Sequence, residues 1–385
     1  MNTGFIDTAR REVRRMCSRK MYFAGMILVP VLMTFFFLDL MEEGLPLKVP
    51  TAVVDLDHST MSRSITRSLS ATELIDISED AESYEEAMEL VRSGKIYGFF
   101  VIPADFERDV VAGRRPTLSY FNNLTYFVPG SLTFKGFTTI AVGTTGNVIR
   151  QMIESAGLPV DAAPLIQPVE VQDHPMGNPW LNYSIYLSPT FLICLLALMI
   201  YLMTVFAITM EIKQGTSPEW LATAKGRIGV AVAGKLLPHL VVWSVVAQGI
   251  AAVLWGWCHF PCGSLWWMAV GMELFVVACL GFALMVTCVL PNPRLAFICC
   301  ALVGILSFSF CGLSFPVEQM YGAIGIFSYL VPARYMILIY FAVGLDSLPV
   351  YYARYFYVAF FGFMLAGTLG LGRLRRACLN PVYVP

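Results

Sequence analysis

The sequence predicts an α-helical integral membrane protein with six transmembrane helices and an α/β extracytoplasmic domain inserted between spans one and two. Three observations predict it. The chain is 57% hydrophobic and only 14% charged, with a mean hydropathy of +0.66, well outside the soluble globular range. Its apolar residues gather into runs that can cross the hydrocarbon core, which takes about 20 residues of helix. The one long stretch without such runs, residues 42–183, alternates strand and helix patterns instead.

The first run, 21–38, follows Arg10, Arg11, Arg14, Arg15, Arg19 and Lys20. Asp39, Glu42 and Glu43 come after it where a small-residue cleavage site would stand, so it reads as an uncleaved anchor, with the first span taken as 21–41. Further runs cover 184–210, 229–256, 265–290, 295–315 and 350–372. The positive-inside rule orients them. A basic N-terminus in the cytoplasm puts 42–183 outside, and returns Lys213, Lys225, Arg227, Arg294 and the Arg373, Arg375, Arg376 tail (residues 373–385) to the inside. A seventh run, 323–343, would strand Arg334 near mid-membrane and put that tail outside. It reads instead as two short helices broken at Pro332 that dip into the outer interface, part of a re-entrant segment 316–345 beginning at Pro316.

In the water-facing stretch, PTAVVDLD, ELIDIS, YGFFVIP and TLSYF read as strands. Helices fall between them, one marked by Tyr84, Ala87, Met88 and Val91 at helical spacing. Residues 128–156 read as a long helix and QPVEVQ as a further strand. Asp55, Asp57 and His58 invite a metal, but they close a strand, and Asp57 or Ser59 reads as the cap of the next helix. Cys258 and Cys262 flank His259 without the further ligands that a zinc site needs. No metal site is expected, and no nucleophile–base signature argues for an enzyme. No basic patch interleaved with aromatics argues for nucleic acid.

Gly229 to Leu236 fits the first seven positions of a phosphate-binding loop, but Leu236 stands where magnesium needs Ser or Thr, so this chain does not hydrolyse ATP itself. The preceding stretch, EIKQGTSPEWLATAKGRIGVAVAGK, reads as a cytoplasmic loop (211–228) with a short helix opened by Pro218. Trp220 and Leu221 are expected there as exposed hydrophobes, either partner anchors or residues of the lipid interface. Glu273, within the fourth span, is a candidate for the transport path, the alternative being pairing with a neighbouring polar group. Lys235 reads as a snorkelling anchor at the inner surface.

The loop resembles that of the permease subunits of type-2 ABC exporters, in their long-ectodomain subclass. Glu211, Gly215-Thr216, Glu219-Trp220-Leu221 and Gly234-Lys235 carry the likeness in order and spacing. Arg11-Glu12 stands where the family often has Lys-Glu, and Ala224 where it usually has Pro. PTAVVDLDHSTMSRSI, GLSFPVEQM and SYLVPARY extend the resemblance over nearly the whole chain. It implies six spans, re-entrant outer helices (Pro316, Pro332, Arg334) and a coupling loop for partner ABC ATPases made of Glu211, Gly215, Thr216, Glu219, Trp220 and Leu221. It further implies ATP and magnesium on those ATPases and none on this chain, a second permease as like or unlike partner, and a bacterial inner-membrane setting with both termini cytoplasmic. A periplasmic adaptor would be an optional further partner. The function implied is ATP-driven export of a hydrophobic or amphipathic substrate, the alternative being a stand-alone receptor or scaffold. Residues 1–20 suit the family's interface helix, in which Ile6, Ala9, Val13 and Met16 share a face and the opposite, basic face would sit on anionic lipid headgroups.

Overall fold

The computed structural model describes residues 2–42, 44, 47–112, 114, 116–123, 131–141, 143, 177–178, 182–312 and 317–380. QPVEVQ, most of the 128–156 helix and Pro316 lie outside these. The chain divides into two compact units, Met1–Gly44 with Pro175–Pro385, and Leu45–His174.

In the first unit, six helices are long and apolar enough to cross a membrane: Lys20–Leu40, Tyr183–Lys213, Ile228–Trp257, Leu265–Val289, Pro293–Phe310 and Val350–Leu379. They are spans 1 to 6 below. Spans 2 and 4 are buried along most of their length, which makes them the centre of the bundle. Lipid is as apolar as leucine, so spans must associate by close packing, and small residues permit it. A Cβ on Gly281 would lie 2.7 Å from the Phe363 carbonyl oxygen, and one on Gly367 only 2.6 Å from that of Gly281. Spans 4 and 6 therefore touch backbone to backbone. Span 2 is 31 residues long, or about 46 Å of helix, and outruns the hydrocarbon core by several turns.

Between spans 5 and 6 lie two short helices, Gly322–Ser328 and Pro332–Ile339, the second running on as a wide turn, Tyr340–Leu345. The break falls at Pro332, whose ring suits a first helical turn. The Tyr335 ring lies 5.8 Å from that of Phe363, which is roughly 20 Å along span 6 from its start. The other end of the pair meets the start of span 2 and the turn before span 4. Gly263, in the turn between spans 3 and 4, donates its N–H to Gly344, and the Tyr340 hydroxyl donates to the Ile185 carbonyl at the start of span 2. Beyond Gly370 the chain forms a further helix, Leu371–Leu379, so the segment expected as a simple tail begins as packed structure.

The second unit holds a four-stranded sheet. Strands β1 (Val49–Asp55), β2 (Ile75–Asp80), β3 (Gly98–Ile102) and β4 (Ser119–Asn122) lie in the order β2-β1-β3-β4, with only β4 antiparallel. Parallel strands need covering on both faces. Val53, Phe100 and Ile102 pack with Ile65, Leu69 and Phe106 on one face, and Ala52, Val54 and Phe99 with Ala87 and Ile96 on the other. Ser59 caps the helix Thr60–Ser70 by accepting from the Ser62 N–H at 3.0 Å. Asp57 caps a different helix, accepting at 3.1 Å from Glu107 in the first turn of Phe106–Val111. Among the described residues, no cluster of three or more His, Cys, Asp or Glu could hold a metal.

Candidate functional site

The N-terminal helix, Asn2–Ser18, packs against span 3 through its polar face. Gly4, Thr8 and Glu12 are buried, spaced four apart, while Ile6 and Val13 are exposed. Of the residues sharing the apolar face, Ala9 and Met16 are half-buried and Ile6 and Val13 are open. The close approach depends on Gly234 of span 3, where a Cβ would meet the Phe5 carbonyl oxygen and the Thr8 side chain at 2.9 Å. Lys235, the next residue, can then reach across to Glu12.

The result is a buried charged junction. Lys235 donates to Glu12 and, at 3.0 Å, to Glu211 near the end of span 2. Glu211 also accepts a two-pronged contact from Arg11, at 2.6 and 3.1 Å, and pairs with Arg15. His239, one turn after Lys235, lies 3.1 Å from the other oxygen of Glu12. Lys235 is fully buried rather than snorkelling, and Arg11 and Arg15 turn inward rather than toward headgroups. Burial raises the Glu12 carboxyl, but the bonds and charges of His239 and Lys235 outweigh it and hold it at about 2. Two carboxylates meet three cations and an imidazole, so each carboxylate is compensated in place, while both terminal nitrogens of Arg15 and Nδ1 of His239 are buried without a hydrogen bond.

The loop after span 2 is fixed to this junction. Gly215, at a φ of +69°, ends the helix. Its N–H donates to Ile212 and that of Thr216 to Glu211, the pair of bonds that closes a helix with a left-handed glycine. The Thr216 hydroxyl donates to the Glu211 carboxylate. The short helix Ser217–Thr223 then follows. Trp220 and Leu221 are buried, which overturns the exposure expected for both. They pack with Ile208, Ala231, Leu284, Leu374 and Cys378. The Trp220 indole N–H donates to Ala231 at 3.2 Å, and its ring lies under the Lys235 ammonium at 5.1 Å. Ser217 donates to the Cys378 carbonyl, which secures the C-terminal helix. The loop's outward surface is therefore Lys213, Gln214, Gly215, Pro218, Glu219, Ala222, Lys225 and Arg227.

The structure thus brings Glu211, Thr216 and Trp220 together around Lys235, joins Gly215 and Leu221 to them, and leaves Glu219 outward. Arg15 and His239 are members that sequence reasoning missed. The spacing of Lys235 and His239 at i and i+4, one face of a helix, was the available signal. Glu273 is elsewhere, half-buried and accepting from the Ser244 hydroxyl of span 3. Pro332 and Arg334 lie in the re-entrant pair.

A protein-family model described as "ABC-2 family transporter protein" matches residues 20–372, which takes in spans 1 to 5, most of span 6 and the loop just described. A search of curated proteins finds no match.

Proposed function

The chain belongs to the ABC-2 transporter family, and from that premise we propose that it is the permease subunit of an ATP-driven exporter in a bacterial inner membrane. Permeases of this family normally work with ABC ATPases, which here would hold the ATP and magnesium while this chain carries no ATPase site. A second permease would complete the pathway, and the termini, with the charged junction, would face the cytoplasm. The substrate would be hydrophobic or amphipathic, as the apolar bundle suggests.

One observation supports this reading above the others. The helix Ser217–Thr223 is buried on one side and open on the other, and its buried side is tied to span 2, span 3 and the C-terminal helix. A push on Pro218, Glu219 or Ala222 would move these elements together. Such a rigid knob is what a docked ATPase needs in order to transmit closure to the spans.

The test is affinity purification of the tagged, detergent-solubilised protein, with ATPase activity assayed on the eluate and mild cross-linking as the control for complex survival. An ATPase should co-elute, and Glu219→Arg should release it without lowering the permease's melting temperature. A cross-linked eluate free of ATPase would move the protein to the receptor or scaffold class.

A further inference from the structure

The second of the two short helices between spans 5 and 6 opens on a buried charge for which the described side chains supply no counter-charge. Arg334 is only 4% exposed. One of its terminal nitrogens donates to the Ser328 hydroxyl at 2.5 Å, and the Tyr329 ring stacks on the guanidinium at 3.8 Å. Its Nε is buried without a hydrogen-bond partner. Among the described side chains no carboxylate lies within ion-pair distance of it. A guanidinium carries five donors, and one hydroxyl and a ring face leave most of that capacity unused.

The backbone adds to the same sign. Arg334 lies in the first turn of Pro332–Ile339, where the helix dipole is positive, and the N-cap residue, Val331, offers no side-chain acceptor. The helix starts inside the bundle, as the contact of Tyr335 with Phe363 shows. In secondary transporters, half-helices that begin within the bundle point their N-termini at the anionic groups of substrates, and the same physics applies to a half-helix here. Tyr329 and Leu330, at the apex between the two helices, are more than half exposed. The ring over the guanidinium is therefore itself partly open, although the helix around Arg334 is packed in the core.

We propose that this apex is an anion-recognition site, in which Arg334 receives the phosphate or carboxylate head of an amphipath carried by the protein. The inference rests on the exporter reading and names its substrate class. The anion supplies the missing counter-charge, while the ligand's apolar part lies along the exposed Tyr329 and Leu330. Zwitterionic and cationic amphipaths gain less, because the site offers no carboxylate to match a positive head.

The experiment uses the full-length protein, purified in a non-ionic detergent without its partners, and fluorescent phosphatidic acid as the probe, with phosphatidylcholine of the same chains for comparison. Phosphatidic acid should bind at least tenfold more tightly. Arg334→Gln should abolish that preference while melting at or above the wild-type temperature, because it removes an uncompensated buried charge. Arg334→Lys should keep most of the preference. Displacement of the probe by millimolar inorganic phosphate would assign the site to water-borne phosphate ligands, and its failure to compete would assign it to lipid-like ones. Unchanged preference in Arg334→Gln, or a sharp fall in its melting temperature, would overturn the proposal, the second by giving Arg334 a structural role. ATPase co-elution is read separately, so loss of the exporter reading and loss of this site remain distinguishable.

Discussion

Among the described residues the bundle buries charge in two places and treats it in opposite ways. At the junction near the N-terminal helix, Lys235 is clamped between Glu12 and Glu211, and Arg11 and Arg15 complete the set. At the apex of the re-entrant pair, Arg334 has a hydroxyl and a ring. Breaking one partner of a compensated buried network strands the others, whereas removing an uncompensated charge relieves a desolvation cost. The first pattern suits a joint that must hold its geometry under load. The second suits a position that waits for something to arrive.

The largest predicted effect sharpens that contrast. Lys235→Met leaves Glu12 and Glu211 without their shared cation, and should destabilise the protein by roughly 3–5 kcal/mol, read as a fall in melting temperature in detergent. Adding Glu12→Gln should recover part of the loss, since it removes one stranded carboxylate. Arg334→Gln, also a neutralised buried cation, should move the melting temperature the other way or not at all. Equal losses at the two positions would break the comparison.

Acid titration comes next. Glu12 is held at about 2 in the folded protein, below its ordinary value of 4.5. A carboxylate depressed on folding contributes stability that is full above the unfolded value and is lost as pH falls through the folded one. The junction should therefore weaken between about pH 4.5 and 2, by on the order of 3 kcal/mol. Melting curves for wild type and Glu12→Gln across that window should show the variant with a flatter response. Parallel curves would mean that Glu12 does not carry the acid sensitivity.

How much of this was legible beforehand depends on how far apart the partners lie in sequence. The six spans needed only local hydropathy, and the Ser59 cap needed only its neighbour three residues on. Asp57 was legible as a cap but not as the cap of a helix 50 residues away. Gly215-Thr216 was visible as a pattern, and the helix-closing bonds supply its reason. Trp220 and Leu221 were misread because two hydrophobes in a charged loop look like anchors. Their burial requires Leu374 and Cys378 to return from the far end of the chain. Lys235 and Glu12 are 223 residues apart, and no local pattern distinguishes a paired lysine from a snorkelling one. The break between the two short helices was legible from Pro332, whereas the burial of Arg334 was not, because no local pattern says which elements will cover a charge.

Two smaller effects probe the apex. Ser328→Ala removes the acceptor of the one hydrogen bond to Arg334, and should cost about 1.5–3 kcal/mol, the range for bonds to charged groups. Tyr329→Leu keeps apolar cover but removes the ring face, and should cost about 0.5–2 kcal/mol, the range for cation–π contacts from exposed to desolvated settings. The value within that range is informative, because the ring is 55% exposed while the guanidinium beneath it is not. A loss near the lower end would mean that Tyr329 is a cover that a ligand displaces at little cost, and Tyr329→Leu should then bind phosphatidic acid about as well as wild type. A loss near the upper end, with weaker binding, would mean that the ring is part of the recognition surface and stays in place when the anion arrives.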